Sequence, residues 1–249
     1  MMMKKCFAAV VMTAVLGLSQ AAIAQDTLAV GVTTSGIPFT FIDTKTQEST
    51  GAMVDLAKAI SDIVGAEPEF NVVAFSALIP ALTTGKIDLI SAGMFATDKR
   101  KEIVDFTQPV YQYGDGMFVA ADDSNNYSLD DLAGETVGAQ VGSVFADKLR
   151  ALGTLGEVKL YDSIADIMRD VKLGRIKAGV GDLPVIAYQI KEKPQLGVRL
   201  VEDYKPMGMS DVALAVDKGN PELLAKVNAA ITELKDSGKL DEIFAKYGL

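Results

Sequence analysis

Short apolar runs of strand length alternate with segments of helical period along this chain, and the order begins again after about residue 115. Leu28-Ala29-Val30-Gly31-Val32 reads as a strand. Met53, Val54, Leu56, Ala57, Ile60, Ile63 and Val64 recur at helical spacing, and Gly65 with Pro68 stops that helix. Phe70 to Val73 is the next strand, Ser76 caps a helix reaching Leu82, Gly85 ends it, and Ile87 to Ile90 is strand-like again. Thr97 caps a helix that begins at Asp98. In the second half Met117 to Ala120 and Thr136 to Ala139 are strands, the latter running through Val141-Gly142-Ser143 into a helix. Ser163 and Asp166 form a capping-box pattern before a helix that stops at Gly174, and Ala178 to Gly181 is a strand ending on Asp182. Val212 to Val216 is a late strand, Asn220-Pro221 opens a helix, and Gly238 separates that helix from a last one near Tyr247. Such alternation predicts an α/β fold with mainly parallel sheets, in two lobes with a cleft between them. Ligands of such sheets sit beyond the carboxyl ends of the strands, which singles out Gly93 to Arg100, Gln140 to Val144, and Asp182.

The first residues stand apart from this order. Lys4 and Lys5 precede an apolar run from Cys6 to Leu18, and Ala22-Ile23-Ala24 is a small-residue cleavage site. This is the three-part pattern of a secretory leader over residues 1–24, with a run shorter than a membrane span needs. Cleavage near Gln25 removes the single cysteine, Cys6, so the mature chain carries no thiol for a disulfide or a metal. It also removes Lys4 and Lys5, moving the formal charge from −9 to −11, a poor balance for nucleic acid or an anionic membrane. The chain has no histidine, so neither a Ser-His-Asp triad nor a histidine metal site is open to it. No catalytic residue, metal or cofactor is expected.

Read by residue type, Arg100 can give a bidentate fork to a carboxylate. Backbone N–H groups where a helix starts after Gly142 can add donors. Asp182, at a strand end, can receive an ammonium. Each residue has a plainer reading. Arg100 sits between Lys99 and Lys101, as a solvated helix residue would, and Asp182 precedes a helix that it could cap.

A set of blocks then recurs in a specific order: Val30-Gly31-Val32 with Ile37-Pro38-Phe39, Gly51 to Ala57, Phe75-Ser76-Ala77-Leu78-Ile79-Pro80, Gly85-Lys86-Ile87-Asp88, and Gly93-Met94-Phe95-Ala96-Thr97-Asp98-Lys99-Arg100. Asp105 to Tyr111, Asp131 to Gly134, Gly142-Ser143, Tyr161-Asp162-Ser163 and Gly174-Arg175-Ile176 leading to Gly181-Asp182 follow. Over nearly the whole mature length the chain resembles the bacterial extracellular solute-binding proteins of family 3, which serve polar amino acid ABC importers. The resemblance implies a two-lobed periplasmic-binding-protein fold of type II, with two hinge strands joining the lobes. Residues 25–113 and 211–249 would form the first lobe and 114–210 the second. It implies that Arg100 binds the ligand carboxylate, Asp182 the ammonium, and that Phe75 stacks on the ligand. Ser143 and Val144 would supply backbone donors beside Gly142, and Gln140 would face the side-chain end. Gly93, Met94 and Phe95, in the block leading to Arg100, and Phe39 complete the implied ligand-binding set. The implied partners are a small amino acid or derivative and the permease subunits of an importer, for a monomer working in the periplasm.

Three positions depart from the family pattern. Phe95 stands where a Ser or Thr hydroxyl usually helps hold the carboxylate, Gly36 where many relatives have an aromatic, and Lys177 where Asp is usual. Lys177 is read as solvated. Tyr111 and Tyr113 are expected near the crossover, serving the hinge or the pocket. Asp115 is read as a hinge carboxylate facing solvent, with selection of a cationic side chain as its alternative, and Asp55 as a residue that stabilises its lobe. Competing readings are a dehydratase-type enzyme on the same fold, a binding protein for another small organic ligand, and a sensory module. The apolar Leu183-Pro184-Val185-Ile186 after Asp182 offers no acid for the enzyme.

Overall fold

The computed structural model describes residues 26–249, so the leader lies outside the described residues. In chain order the first half holds β1 (Asp26–Val32), β2 (Phe41–Ile42), β3 (Ser49–Thr50), α1 (Ala52–Val64), β4 (Ala66–Val72), α2 (Leu78–Thr83), β5 (Leu89–Ile90), α3 (Asp98–Lys101) and β6 (Val104–Phe106). The long strand β7 (Tyr111–Ala120) leads into β8 (Thr136–Gln140), α4 (Val144–Leu152), β9 (Glu157–Tyr161), α5 (Ile164–Lys172), β10 (Ala178–Asp182), α6 (Leu183–Glu192) and β11 (Val198–Leu200). The chain then returns through β12 (Met209–Val212) to β13 (Ala215–Asp217), α7 (Pro221–Asp236) and α8 (Lys239–Ala245).

Two sheets result. The first has the order β4-β1-β5-β13-β6 and the second β11-β7-β10-β8-β9. The centre of each is parallel, β1 with β4 and β5, and β8 with β9 and β10. The strands that come back from the other lobe run antiparallel, so both sheets are mixed rather than mainly parallel. The apolar periodicity of α1 turns Met53, Val54, Leu56, Ala57 and Ile60 into the first lobe, each without solvent exposure, and Gly65 ends the helix in the left-handed conformation. Thr97, Ser163 and Asn220 accept from backbone N–H groups of the helices they precede, as their positions predicted.

Two local expectations change. Ser76 caps nothing, because a single 3₁₀ turn over Phe75–Ala77 precedes α2 and Ala74 opens that turn. The run Val212 to Val216 is not one strand. β12 pairs with the first half of β7, β13 pairs with β5 and β6, and the chain changes sheets over Ala213 and Leu214. The amide of Ala213 donates to Met94 O, and that of Leu214 to Thr107 Oγ1, so both amides remain paired where the strand breaks.

Side chains read as solvated prove to be held. Asp115 has no solvent exposure and accepts from the Tyr204 hydroxyl and from the Met207 amide at 2.8 Å. Lys177 pairs with Asp123 at 2.7 Å and lies over the Tyr127 ring. Asp55 does stabilise its lobe: it accepts from Lys246 Nζ at 2.6 Å and the Tyr247 hydroxyl at 2.8 Å, fastening the end of the chain to α1. Replacing Asp115 by Ala strands two half-buried donors, which costs about 1–3 kcal/mol. Urea unfolding of Asp115→Ala is therefore expected to give a lower midpoint, whereas a residue chosen for the ligand alone would leave it unmoved.

Candidate functional site

The carboxyl ends of β5, β8 and β10 converge where the two sheets face each other, and the three stretches singled out in the sequence meet there. Thr97 caps the short helix α3 and so aims Arg100, one turn on, across the cleft. Arg100 keeps only 9% of its surface exposed. Its Nη1 donates to Phe95 O at 2.8 Å, and its Nη2 reaches the other lobe and donates to Gly142 O at 3.0 Å. The Phe75 ring lies 5.5 Å from the guanidinium carbon, a cation–π contact. Burial lowers the Arg100 pKa, and the nearby Asp182 charge opposes that shift, so the group stays a cation.

Asp182 occupies the N-cap position of α6, yet its side chain makes no capping bond. It accepts instead from the Tyr113 hydroxyl, at 2.7 Å. Loss of water pushes its carboxyl up to about 6, against the Tyr113 hydrogen bond and the Arg100 charge. Tyr113 is itself buried, stacked on Phe39 at 5.3 Å and tilted against Phe95 at 4.5 Å between ring centres. Burial and the Asp182 charge hold the Tyr113 phenol well above its ordinary range, so it remains a donor.

The remaining candidates divide. Gln140 is buried and bridges the lobes, donating to Asp162 O at 2.9 Å and to Ser35 Oγ at 3.3 Å. Ser143 caps α4, its hydroxyl accepting from Ala146, and Val144 is the first residue of that helix, so the free N–H groups of α4 open beside Gly142. Gly93 has φ +66° and its carbonyl lies 3.1 Å from the Tyr113 hydroxyl; a Cβ there would come within 3.2 Å of the Phe39 ring. Phe39 and Met94 turn their side chains into the first lobe's core, at 1% exposure each. Phe95 is buried against Tyr113 and, across the cleft, Phe145.

Tyr113 is the central residue that the sequence left open between hinge and pocket, and Ser35 and Phe145 it did not single out. The lobes also meet through Lys99 and Asp147, an exposed ion pair at 2.9 Å. Gly142, at φ +76°, packs on Ser76, where an added Cβ would lie 3.0 Å from the Ser76 backbone. Among the described residues no group of acidic side chains is arranged to hold a metal ion, and no helix is long and apolar enough to cross a membrane.

Comparison with known proteins bears on the family and the fold. The profile of the bacterial extracellular solute-binding proteins, family 3, matches residues 28–249. The putative ABC transporter arginine-binding protein 2 of Escherichia coli is 32% identical, covering 94% of this chain and 95% of its own. An ancestral arginine-binding protein bound to glutamine superposes with a TM-score of 0.84 at 37% identity, over 90% of this chain and 98% of its own. The ancestral amino acid-binding protein AncCDT-1, a precursor of cyclohexadienyl dehydratase, gives a TM-score of 0.78 at 33% identity, covering 89% and 95%. The two-lobed arrangement is that of type II periplasmic binding proteins.

The state of Asp182 has a consequence for stability. Its folded pKa, about 6, lies above the ordinary 3.8, so between those values the folded chain holds a proton that the unfolded chain has lost. Stability therefore falls as pH rises through that window, and the cost is fully present above it. Asp182→Asn is expected to stabilise the ligand-free protein at pH 7.5 by on the order of 2 kcal/mol. The gain should shrink towards zero as denaturation is repeated down to pH 4.

Proposed function

The chain belongs to the bacterial extracellular solute-binding proteins, family 3, and from that premise we propose that it captures an amino acid or a close derivative between its lobes and presents it to the permease of an ABC importer. The observation that carries this reading is one buried cation, Arg100, and one half-buried carboxylate, Asp182, contributed from opposite lobes to one cleft. A zwitterion has its charges in the same arrangement. Its carboxylate takes the N–H groups of Arg100 not spent on Phe95 O and Gly142 O, together with the free N–H groups at the start of α4. Its ammonium takes Asp182. Phe75, over the guanidinium, forms one wall, Phe95 another, and Gln140 with Ser35 bounds the far side.

Closure follows from the same division. A ligand touching both lobes binds the closed arrangement better than an open one, and that difference shifts the population. We place the first lobe at residues 25–113 and 211–249 and the second at 114–210, with the pairing of β12 and β7 as the hinge. Export to the periplasm fits the leader and the family. The permease would read the closed shape.

A dehydratase-type reading draws on one observation, a cleft carboxyl with a pKa near neutrality beside a tyrosine. Against it, Asp182 already accepts from the Tyr113 hydroxyl, and apolar residues follow it in the chain.

Thermal denaturation of the purified protein against the α-amino acids and their derivatives tests the proposal. A ligand at a hundred times its Kd adds about 2.7 kcal/mol to stability. The expected result is a raised midpoint with one ligand or a few, abolished in Arg100→Ala, and recovery of the ligand unchanged after incubation. Turnover would favour the dehydratase, and indifference to every zwitterion would end the proposal.

Ionic pairing also predicts a pH profile. Only ionised Asp182 accepts an ammonium, so binding releases a proton below the carboxyl's pKa of about 6. The Kd measured by calorimetry should be about tenfold weaker at pH 5 than at pH 8. A flat profile would mean that Asp182 does not meet the ligand's charge.

A further inference from the structure

The cleft does not end at Gln140 and Ser35. Beyond Ser35 lies a cavity of about 490 Å³ whose wall comes from both lobes: Thr34, Ser35, Ile37 and Phe41 from the first, and Gln189 with Lys193 from the second. Two features join it to the zwitterion site. Ser35 belongs to both, since its Oγ accepts from Gln140 Nε2 at 3.3 Å while the residue lines the cavity. Helix α6 runs from one to the other: Asp182 stands at its N-cap, and Gln189 lies seven residues on. Seven residues are nearly two full turns, so the two side chains leave the same side of the helix about 10 Å apart along its axis.

Gln189 makes this cavity more than a gap between lobes. It keeps only 5% of its surface exposed, yet its side-chain amide has no hydrogen-bond partner among the described residues. Buried amides are nearly always paired, because an unpaired one forfeits its bonds to water. Nor is this amide sealed inside the protein: among the described residues, Ser61 Oγ is the one enclosed side-chain polar atom without a partner. The Gln189 amide therefore meets open space, and the open space that Gln189 lines is the cavity.

The wall differs in chemistry from the inner cleft. Gln189 offers two donors and an acceptor, Ser35 keeps its own proton to give while it accepts from Gln140, and the Thr34 hydroxyl can do either. Ile37 and Phe41, both half-buried, add apolar surface. The two charges, Lys193 and Asp43, are opposite in sign, and both reach solvent. Asp43 Oδ1 already accepts from the amides of Lys45 at 2.7 Å and Thr46 at 2.9 Å. Screened in this way, the pair gives a charged group little. A polyhydroxyl group matches what remains: each hydroxyl both donates and accepts, and the C–H face lies on the apolar wall.

Resting on the zwitterion reading of the inner cleft, we propose that this cavity is an outer subsite for the far end of the ligand, so that the ligand is an amino acid extended by an uncharged, hydroxyl-rich group such as a sugar. Where the ligand passes between Gln140 and Ser35, its own polar atoms replace the bond between them. Gln189 and Ser35 then hold the extension from opposite lobes, which ties the subsite to closure.

The test is calorimetric titration with matched ligands: asparagine and glutamine, each against its derivative glucosylated on the side-chain amide, with γ-glutamylglycine carrying a carboxylate at similar reach. In the better-binding pair the glucosylated member should bind about tenfold more tightly, the worth of one or two hydrogen bonds, and γ-glutamylglycine should show no such gain. Gln189→Met keeps the helix and the bulk but removes the amide. It should bring the ratio within the pair close to one, whatever it does to the two affinities separately, whereas a merely structural role for Gln189 would change both members alike. Ser35→Ala, on the opposite lip, should lower the ratio in the same direction. If the plain amino acid binds as tightly as its glucosylated form, if the carboxylate extension binds best, or if the ratio persists in Gln189→Met, the subsite proposal is overturned. Binding of the plain amino acid that is lost in Arg100→Ala would then show that the zwitterion site survives it. If no member of any pair binds, both readings fall together.

Discussion

Four antiparallel pairs, from Met209 opposite Gly114 to Val212 opposite Tyr111, carry the connection on which every other contact between the lobes depends. The chain leaves the first sheet through β7 and returns through β12, so the relative placement of Arg100 and Asp182 is set by this ribbon and by what packs on it. β7 does double service. Its first half belongs to the ribbon, and its second half lies beside β10, where Asp115 stands opposite Asp182 in the ladder. Its buried Asp115 is anchored to the loop around Tyr204 and Met207. A reorientation of the ribbon therefore carries the end of β10, with Asp182, as part of one body.

The cleft balances desolvation against pairing. A cation and a carboxylate are both withdrawn from water, and neither is served by the other through a direct salt bridge in this arrangement. Arg100 is paired with backbone carbonyls and Asp182 with a phenol. Neutral partners satisfy hydrogen-bonding capacity without cancelling charge, which leaves each group attractive to an opposite charge from outside. A direct Arg100–Asp182 pair would instead compete with a zwitterion for both of its ends. The polar chemistry is spread over several loops, whereas the apolar packing behind it, Phe39 under Gly93 and Met94 in the first lobe's core, fixes the loop shapes.

Much of this was legible before any coordinates. The alternation of strands and helices, the caps at Thr97, Ser163 and Asn220, and the convergence of Gly93 to Arg100 with Gln140 to Val144 and Asp182 all rest on local signals: periodicity, capping chemistry, and the rule that strand ends gather ligands. What escaped was pairing at long range. Tyr113 and Asp182 are 69 residues apart, and no local pattern marks a tyrosine as the partner of a distant carboxylate. Asp115 and Lys177 were read as solvated because charged residues usually are; Tyr204 and Asp123, their partners, lie far along the chain. Val212 to Val216 looked like one strand because both sheets demand the same apolar composition. Composition cannot report that the chain changes sheets at Ala213 and Leu214.

The ribbon has a consequence for how opening would be observed. Its ladder bonds run between β7 and β12 themselves, so bending it requires no bond across the ladder to break. Amide protons there would stay protected while the cleft opened and shut, and isotope exchange at the hinge would report little of the motion. Among the contacts that part are those of side chains at the lips, Lys99 with Asp147 and Gln140 with Ser35, the bond from Arg100 to Gly142 O, and the seat of Gly142 on Ser76. Opening is thus a change of distance between two preserved halves, visible to a ruler placed across the cleft and nearly silent to a probe of backbone order.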